Sequence, residues 1–471
     1  MLDKYIDDLK NTIVQETCNL INIPSVSEET GNPEIPFGEG CKKALDYVLD
    51  LGKQLGFRTK NIDNYCGYIE FGDGDNLVGI IGHLDVVPSG DGWETPPFEA
   101  SIISGNIYGR GAIDDKGPVI SALYAMKAIH DNLKVNSRVR LILGVNEEKD
   151  WKCIKHYKET EEFPTIGFSP DANFPCIYAE KGILTLHIRE DYSKYANAPI
   201  KFTSIDCKNN AINVVPKYCE VNLKIDCEKI DFAECIHFIN ETITELGFNI
   251  SINDNLDSIN IISRGVQAHS AHPELGTNAI SQMLILLNKI FKHFDINIEI
   301  LEFFENNIAM EYNGHSLGIS LSDESGALTL NVGHFKFVKD SMNVLQVSLN
   351  LRIPVNTPID NIIEKVSDAC SKYSLGTVAG GRQEPLYVPK DNFLVKTLTD
   401  IFNKATNSNL EPIPIGGGTY ARAFDNCVSF GANFPGDTDM CHQANEFINI
   451  DKLILSCKIY AEAIMKLGGA I

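Results

Sequence analysis

The chain is short of positive charge. Lys and Arg number 41 against 63 Asp and Glu, for a net charge of −22. So acidic a surface repels phosphate backbones and argues against nucleic acid as a partner. Long apolar runs are also missing, and none approaches the length of a membrane span. The start, "MLDKYIDDLKNTIVQETCNLINIPSVSEETG", lacks a basic stretch followed by an apolar core. It reads as an amphipathic helix, not a signal peptide. The 13 cysteines are scattered, odd in number and never spaced C-x-x-C, so they indicate neither a disulfide framework nor a thiolate zinc site. They read as small buried side chains in a reducing cytoplasm. There is no short repeat, no low-complexity tract and no G-x-S-x-G elbow for a serine nucleophile.

What is present falls into two textures. Early in the chain, continuous apolar runs such as "LVGIIGH" (77–83), "VRLILGV" (139–145) and "TIGFS" (165–169) alternate with helical stretches such as "GPVISALYAMKAIHD" (117–131). Strands apolar on both faces, alternating with helices, predict an α/β domain with a mostly parallel sheet covered by helices. From about Ile183, "GILTLHIRED", "YCEVNLKID" and "LQVSLNLRIP" alternate apolar and polar residues. That pattern predicts antiparallel strands with one covered face, with helices near 231–247 and 275–294. The helix-and-loop texture returns after "GGRQEPLYVPKD". The expected organisation is a catalytic domain from residues 1–182 and 385–471, interrupted by an α+β lid domain at 183–384 with antiparallel sheets.

The early strands each deliver acidic or imidazole groups at their carboxyl ends, where open α/β sheets bind ligands. The first ends in His83 and Asp85, the second in Glu147 and Glu148, the third in Asp171. Asp114 and Asp115 precede a helix between the first two. Singly, each has an ordinary explanation: H-x-D is a weak signal, Glu-Glu is usually solvated, and Asp-Asp before a helix is often a cap. Together they put five or six carboxylates in one crevice, which repel one another unless a cation is present. A histidine among oxygen ligands suits Zn²⁺, with Mn²⁺ or Co²⁺ open. The charge exceeds what one ion needs, so two ions sharing a bridging carboxylate are expected. At i and i+2, Asp85 shares a face with His83 and could orient its ring.

At this point "GHLDVVPSGDGW", "YGRGAIDDKG", "NEEKDW", "FSPDANFPCIYAEKG", "GVQAHSAHPELGTNA" and "GGGTYAR…GANFPGDTDMCHQANEF" resemble the co-catalytic zinc exopeptidases. That family includes aminoacylase, carboxypeptidase G and succinyl-diaminopimelate desuccinylase, and the resemblance is strongest to the bacterial PepV-type dipeptidases. It spans almost the whole chain. It implies that His83, Asp114, Glu148, Asp171 and His442 bind two divalent ions, with Asp114 as the bridge. It implies Glu147 as general base, Asp85 as support for His83, and His269 as the group that polarises the scissile carbonyl. Asn213, Arg352 and the loop residues Gly417, Gly418 and Thr419 would meet the substrate. Three positions depart from the family pattern: Asn146 stands where Asp is usual, Lys149 where a small residue is, and Cys441 where Met is commoner. His272 reads as part of a turn before Pro273, and Arg110 and Lys116 as neighbours of the bridge that could tune charge.

The implied activity is hydrolysis of dipeptides by a cytoplasmic monomer with a self-contained lid. Two alternatives stand beside it: an N-acyl-amino-acid deacylase of the same family, and a metal-loaded peptide-binding protein without turnover. The insertion of about 200 residues favours the dipeptidase, and an intact Glu147 disfavours the pure binder.

Overall fold

A computed structural model describes residues 2–208, 211–339 and 343–469. The chain forms two compact units, one of residues 1–179 with 386–471 and one of residues 180–385.

The first unit is built on a nine-stranded sheet. Its row runs Arg58–Ile62, Cys66–Phe71, Arg138–Gly144, Leu77–His83, Ile166–Ser169, Cys427–Ser429, Ile177–Glu180 and Leu386–Tyr387, with Ile413–Ile415 also paired to Ile177–Glu180. The four middle strands are parallel, with Val78 opposite both Val139 and Ile166. The flanking pairs at Arg58–Ile62 and Cys66–Phe71 are antiparallel. Every residue of Leu77–His83 is buried, as an apolar run covered on both faces must be. The helix Lys116–Asn132 packs on this strand and on the helix Ile450–Leu467. Pro118 lies in its first turn, where a missing N–H costs no intrahelical bond.

The second unit has two four-stranded antiparallel sheets and the helices Phe232–Leu246, Ala279–His293, Glu299–Asn307 and Ile359–Ser371. One apolar core runs through both sheets. The helix expected over 275–294 is shorter, because Pro273–Leu275 forms a separate 3₁₀ turn and Asn278 caps the helix proper. Its side chain accepts from the N–H of Ile280 and Ser281 at 3.0 and 3.1 Å.

One expectation fails instructively. The alternation in Asn343–Ile353 suggested one wet face, yet from Leu345 onward every residue is buried. The strand is central, and its polar side chains are matched to partners. Gln346 accepts from Arg189, Ser348 meets His187, and Asn350 accepts from Ser270. A buried polar face costs little when each group finds a bond. Among the described residues, no helix is long and apolar enough to cross a membrane.

Candidate active site

Strand order explains why distant residues meet. Leu77–His83 lies between Arg138–Gly144 and Ile166–Ser169, and all three run parallel, so their carboxyl ends share one rim. His83 ends the middle strand, Glu147 and Glu148 follow one neighbour, and Asp171 follows the other. Asp114 enters just before the helix Lys116–Asn132. His442 comes from a turn in which its backbone is left-handed, φ 65°, a conformation that non-glycine residues hold mainly where the surroundings impose it.

His83 Nε2 lies 3.0 Å from Asp114 Oδ1 and 3.6 Å from Asp171 Oδ2. His442 Nε2 lies 3.2 Å from Asp114 Oδ2 and 3.0 Å from Glu148 Oε1. The two oxygens of Asp114 therefore face two different histidines. Two groups of potential ligands result, His83–Asp114–Asp171 and Asp114–Glu148–His442, each with its ligand atoms within 4.8 Å of one another. A shared carboxylate between two mixed nitrogen and oxygen sets is a donor arrangement suited to a pair of borderline divalent ions.

The electrostatics point the same way. Burial, reinforced by Asp114, pushes Glu148 up to about 7. Burial and the same neighbour push Asp171 up to about 6. Burial also raises Glu147, helped by Asp171, Glu148 and Asp85. Burial alone would lower His442, but its hydrogen bonds to Asp114 and Glu148 outweigh that and raise it to about 11. Carboxylates crowded and buried in this way favour a neutralising partner, a proton or another cation.

Around this cluster the supports are specific. His83 Nδ1 meets the main-chain oxygen of Asp85 at 2.9 Å, while the nearer carboxylate oxygen is 3.7 Å away. The Asp85 carboxylate instead accepts from the N–H of Glu147 and of Glu148, at 3.0 and 3.1 Å. Asp115, fully buried, accepts from the His83 N–H. Asn146 donates to Ser27 and accepts from the Lys152 N–H, so a neutral side chain there ties the acidic corner to the next helix. Lys116 donates to the Ile23 carbonyl at 2.6 Å, and burial lowers it to about 7.

In the "IGGGTYAR" loop, Thr419 is buried and bonded to Ser429 at 2.7 Å, and Arg422 donates to the Gly417 carbonyl. Gly418 lies close against the Arg422 guanidinium. Tyr420 follows in the same loop, Gly416 to Arg422, which the sequence resemblance assigned as a whole to the pocket lining. Its ring stands edge-on to His83 and lies so close to Gly144 that a Cβ there would come within 2.4 Å of it. Sequence reasoning missed Glu446. Its side-chain partners are Arg110 and the main-chain N–H groups of Gly111, Ile113 and Asp114, which no local sequence signal could reveal.

The remaining candidates belong to the second unit and converge there. Val214 bridges to His269, and the Ser270 N–H donates to the Asn213 carbonyl at 2.9 Å. Arg352, only 4% exposed, donates to Ser270 Oγ at 3.1 Å. His269 itself is exposed and accepts from the Ala271 N–H. Exposed His272 immediately precedes the 3₁₀ turn, with Nδ1 3.3 Å from Glu274 Oε1.

Comparison with known proteins extends the picture. Residues 79–466 match the sequence profile described as Peptidase family M20/M25/M40. A Bacillus subtilis (strain 168) protein named "Putative dipeptidase YtjP" is 36% identical over 466 residues, covering 98% of each chain. Human carnosine dipeptidase 1 superposes with a TM-score of 0.60 at 16% identity, over 99% of this chain and 98% of that one. The Bacillus subtilis YXEP protein, titled a dinuclear metal binding peptidase from the M20 family, superposes at 0.53 with 10% identity, over 99% of this chain and 100% of that one.

Proposed function

The chain belongs to peptidase family M20/M25/M40, and from that premise we propose that it is a metal-dependent dipeptidase acting on free dipeptides. The observation that supports this most is the pair of ligand groups joined through Asp114, with Glu147 beside them and in neither.

In this reading His83, Asp114 and Asp171 hold one divalent ion, and Asp114, Glu148 and His442 hold the other. Zn²⁺ suits the donor set, as Mn²⁺ or Co²⁺ would. When bound, such ions polarise a carbonyl and make water a stronger acid. Glu147 takes the proton of the attacking water and returns it to the leaving amine. His269 donates a hydrogen bond to the substrate oxygen as negative charge develops there. Asn213, Gly417, Gly418 and Thr419 contact the substrate, the last through its main chain, since its hydroxyl is engaged elsewhere. The segment 183–384 acts as the lid of a catalytic domain formed by 1–182 and 385–471. The protein works as a cytoplasmic monomer without nucleic-acid or membrane partners.

A dipeptidase must read the free carboxylate of a two-residue ligand. Arg352 supplies the cation, in a guanidinium fork suited to a carboxylate. Arg352→Ala should lose about 2–4 kcal/mol in kcat/KM on free dipeptides. The wild type should disfavour C-terminally amidated dipeptides by a similar factor, and the variant should have lost that preference. Equal discrimination by both proteins would remove Arg352 from this role. A panel of dipeptides, N-acyl amino acids and tripeptides, assayed with metal analysis, separates the dipeptidase from a deacylase and from a binder that turns over none of them.

A further inference from the structure

Arg110 and Glu446 form a buried ion pair, 1% and 0% exposed, with Nη1 and Oε2 at 2.7 Å. The site described above does not use it. Removing two charges from water is expensive, and a hydrophobic pair of similar size would often be as stable. The pair therefore calls for a reason beyond stability.

Its hydrogen bonds supply one. Besides Arg110, Oε2 of Glu446 accepts from the Gly111 N–H at 3.0 Å, and Oε1 accepts from the N–H of Ile113 and Asp114 at 3.0 and 3.3 Å. Its main-chain oxygen accepts from the Gly109 N–H. One carboxylate thus fixes the backbone on which Asp114 sits. Glu446 also closes the turn that presents His442, in which Asn445 shares the left-handed conformation of His442. Arg110 reaches the other way. It donates to the Ser89 carbonyl at 3.2 Å and lies 5.2 Å from the centre of the Trp93 ring, on the loop that leaves His83 and Asp85.

We propose that Arg110 and Glu446 are positioning residues: a clamp that sets the spacing of His83, Asp114 and His442, and so the spacing of the two ion sites. This rests on the two-ion reading above. It gives Arg110 a role other than charge tuning, and it explains a buried charge pair held mostly by main-chain groups. A glutamine at 446 offers one acceptor oxygen and turns an NH₂ toward main-chain donors, so Glu446→Gln should spoil the spacing while removing no ligand.

The test titrates Zn²⁺ into metal-free protein by calorimetry, counts bound metal by mass spectrometry, and measures kcat and KM on a dipeptide. Wild type should take up two ions. Glu446→Gln should bind one of them about 10–100-fold more weakly, with kcat reduced and KM little changed. Arg110→Lys should retain more of that affinity than Arg110→Met, and gives the same comparison if Glu446→Gln does not fold. Glu70→Gln is the control. It breaks another buried pair of the same unit, with Arg140 at 2.6 Å, and should lower the melting temperature while both ions bind as in wild type. If Glu446→Gln or Arg110→Met melts earlier but binds both ions normally, the pair is structural only and the clamp is wrong. If wild type binds fewer than two ions, the two-ion reading fails and the clamp falls with it.

Discussion

Asp85 serves one neighbour with its main chain and two others with its side chain. The ring of His83 rests on the main-chain oxygen, and the corner of Glu147 and Glu148 hangs on the carboxylate. The i, i+2 spacing placed His83 and Asp85 side by side and suggested a carboxylate–imidazole pair. It could not show that the strand ends between them, nor that the adjacent strand presents two N–H groups there. Asp85→Asn keeps the His83 contact and replaces one acceptor oxygen with a donor facing an N–H. We expect kcat/KM to fall by roughly 10²-fold, by analogy with losing an oriented catalytic group, while metal content stays near that of wild type. Loss of metal in step with activity would instead assign Asp85 to His83. Glu147→Gln is the companion experiment. It should cost about 10²–10⁴-fold in kcat with both ions retained, and turnover above a few per cent of wild type would mean that Glu147 is not the base. The five ligand candidates were legible because each sits at a strand end or in a motif. Glu446 was not, because what it does depends on packing across the fold.

At the scale of elements, apolar runs were reliable where the solvent is excluded from both faces, and Leu77–His83 has the bounds expected from its sequence. Alternation was less reliable. It marks which residues share a face, not whether that face is wet, and in Asn343–Ile353 the polar face is buried against hydrogen-bonding partners. One of these, His187, has a measurable consequence. Burial lowers its pKa below the ordinary 6.5, helped by Arg189, Lys336 and His334. As pH falls through about 6.5 the unfolded chain takes up a proton that the folded unit still refuses, so stability declines on the acid side. Melting temperatures at pH 7 and pH 5.5 should therefore differ more for wild type than for His187→Gln, whose amide can still meet Ser348. An equal difference in both proteins would exonerate His187.

The chain divides into two compact units, and they should respond differently to metal. Ions that bind only the folded first unit stabilise it by mass action, about 2.7 kcal/mol at a hundredfold excess over Kd. Chelation should lower the calorimetric transition of that unit and leave that of residues 180–385 unchanged. The size of the effect should depend on pH. Glu148 and Asp171 are raised to about 7 and about 6 in the metal-free fold. There they keep protons that the unfolded chain has shed, so metal-free stability falls as pH rises from about 4 to about 7. Ions must displace those protons, so loading releases acid and weakens as pH drops through the same window. A chelator effect equal at pH 5.5 and 8 would contradict this. The order of the sheet has a further consequence, for synthesis. Cys427–Ser429 fills the gap between Ile166–Ser169 and Ile177–Glu180, and His442 follows it. As the chain leaves the ribosome, its first 179 residues lack a strand from the middle of their own sheet, whereas residues 180–385 emerge as one uninterrupted stretch. The insert can fold while translation continues. The unit whose two segments flank it in sequence is incomplete until Cys427–Ser429 has emerged, and the proposed two-ion site is incomplete until His442 follows.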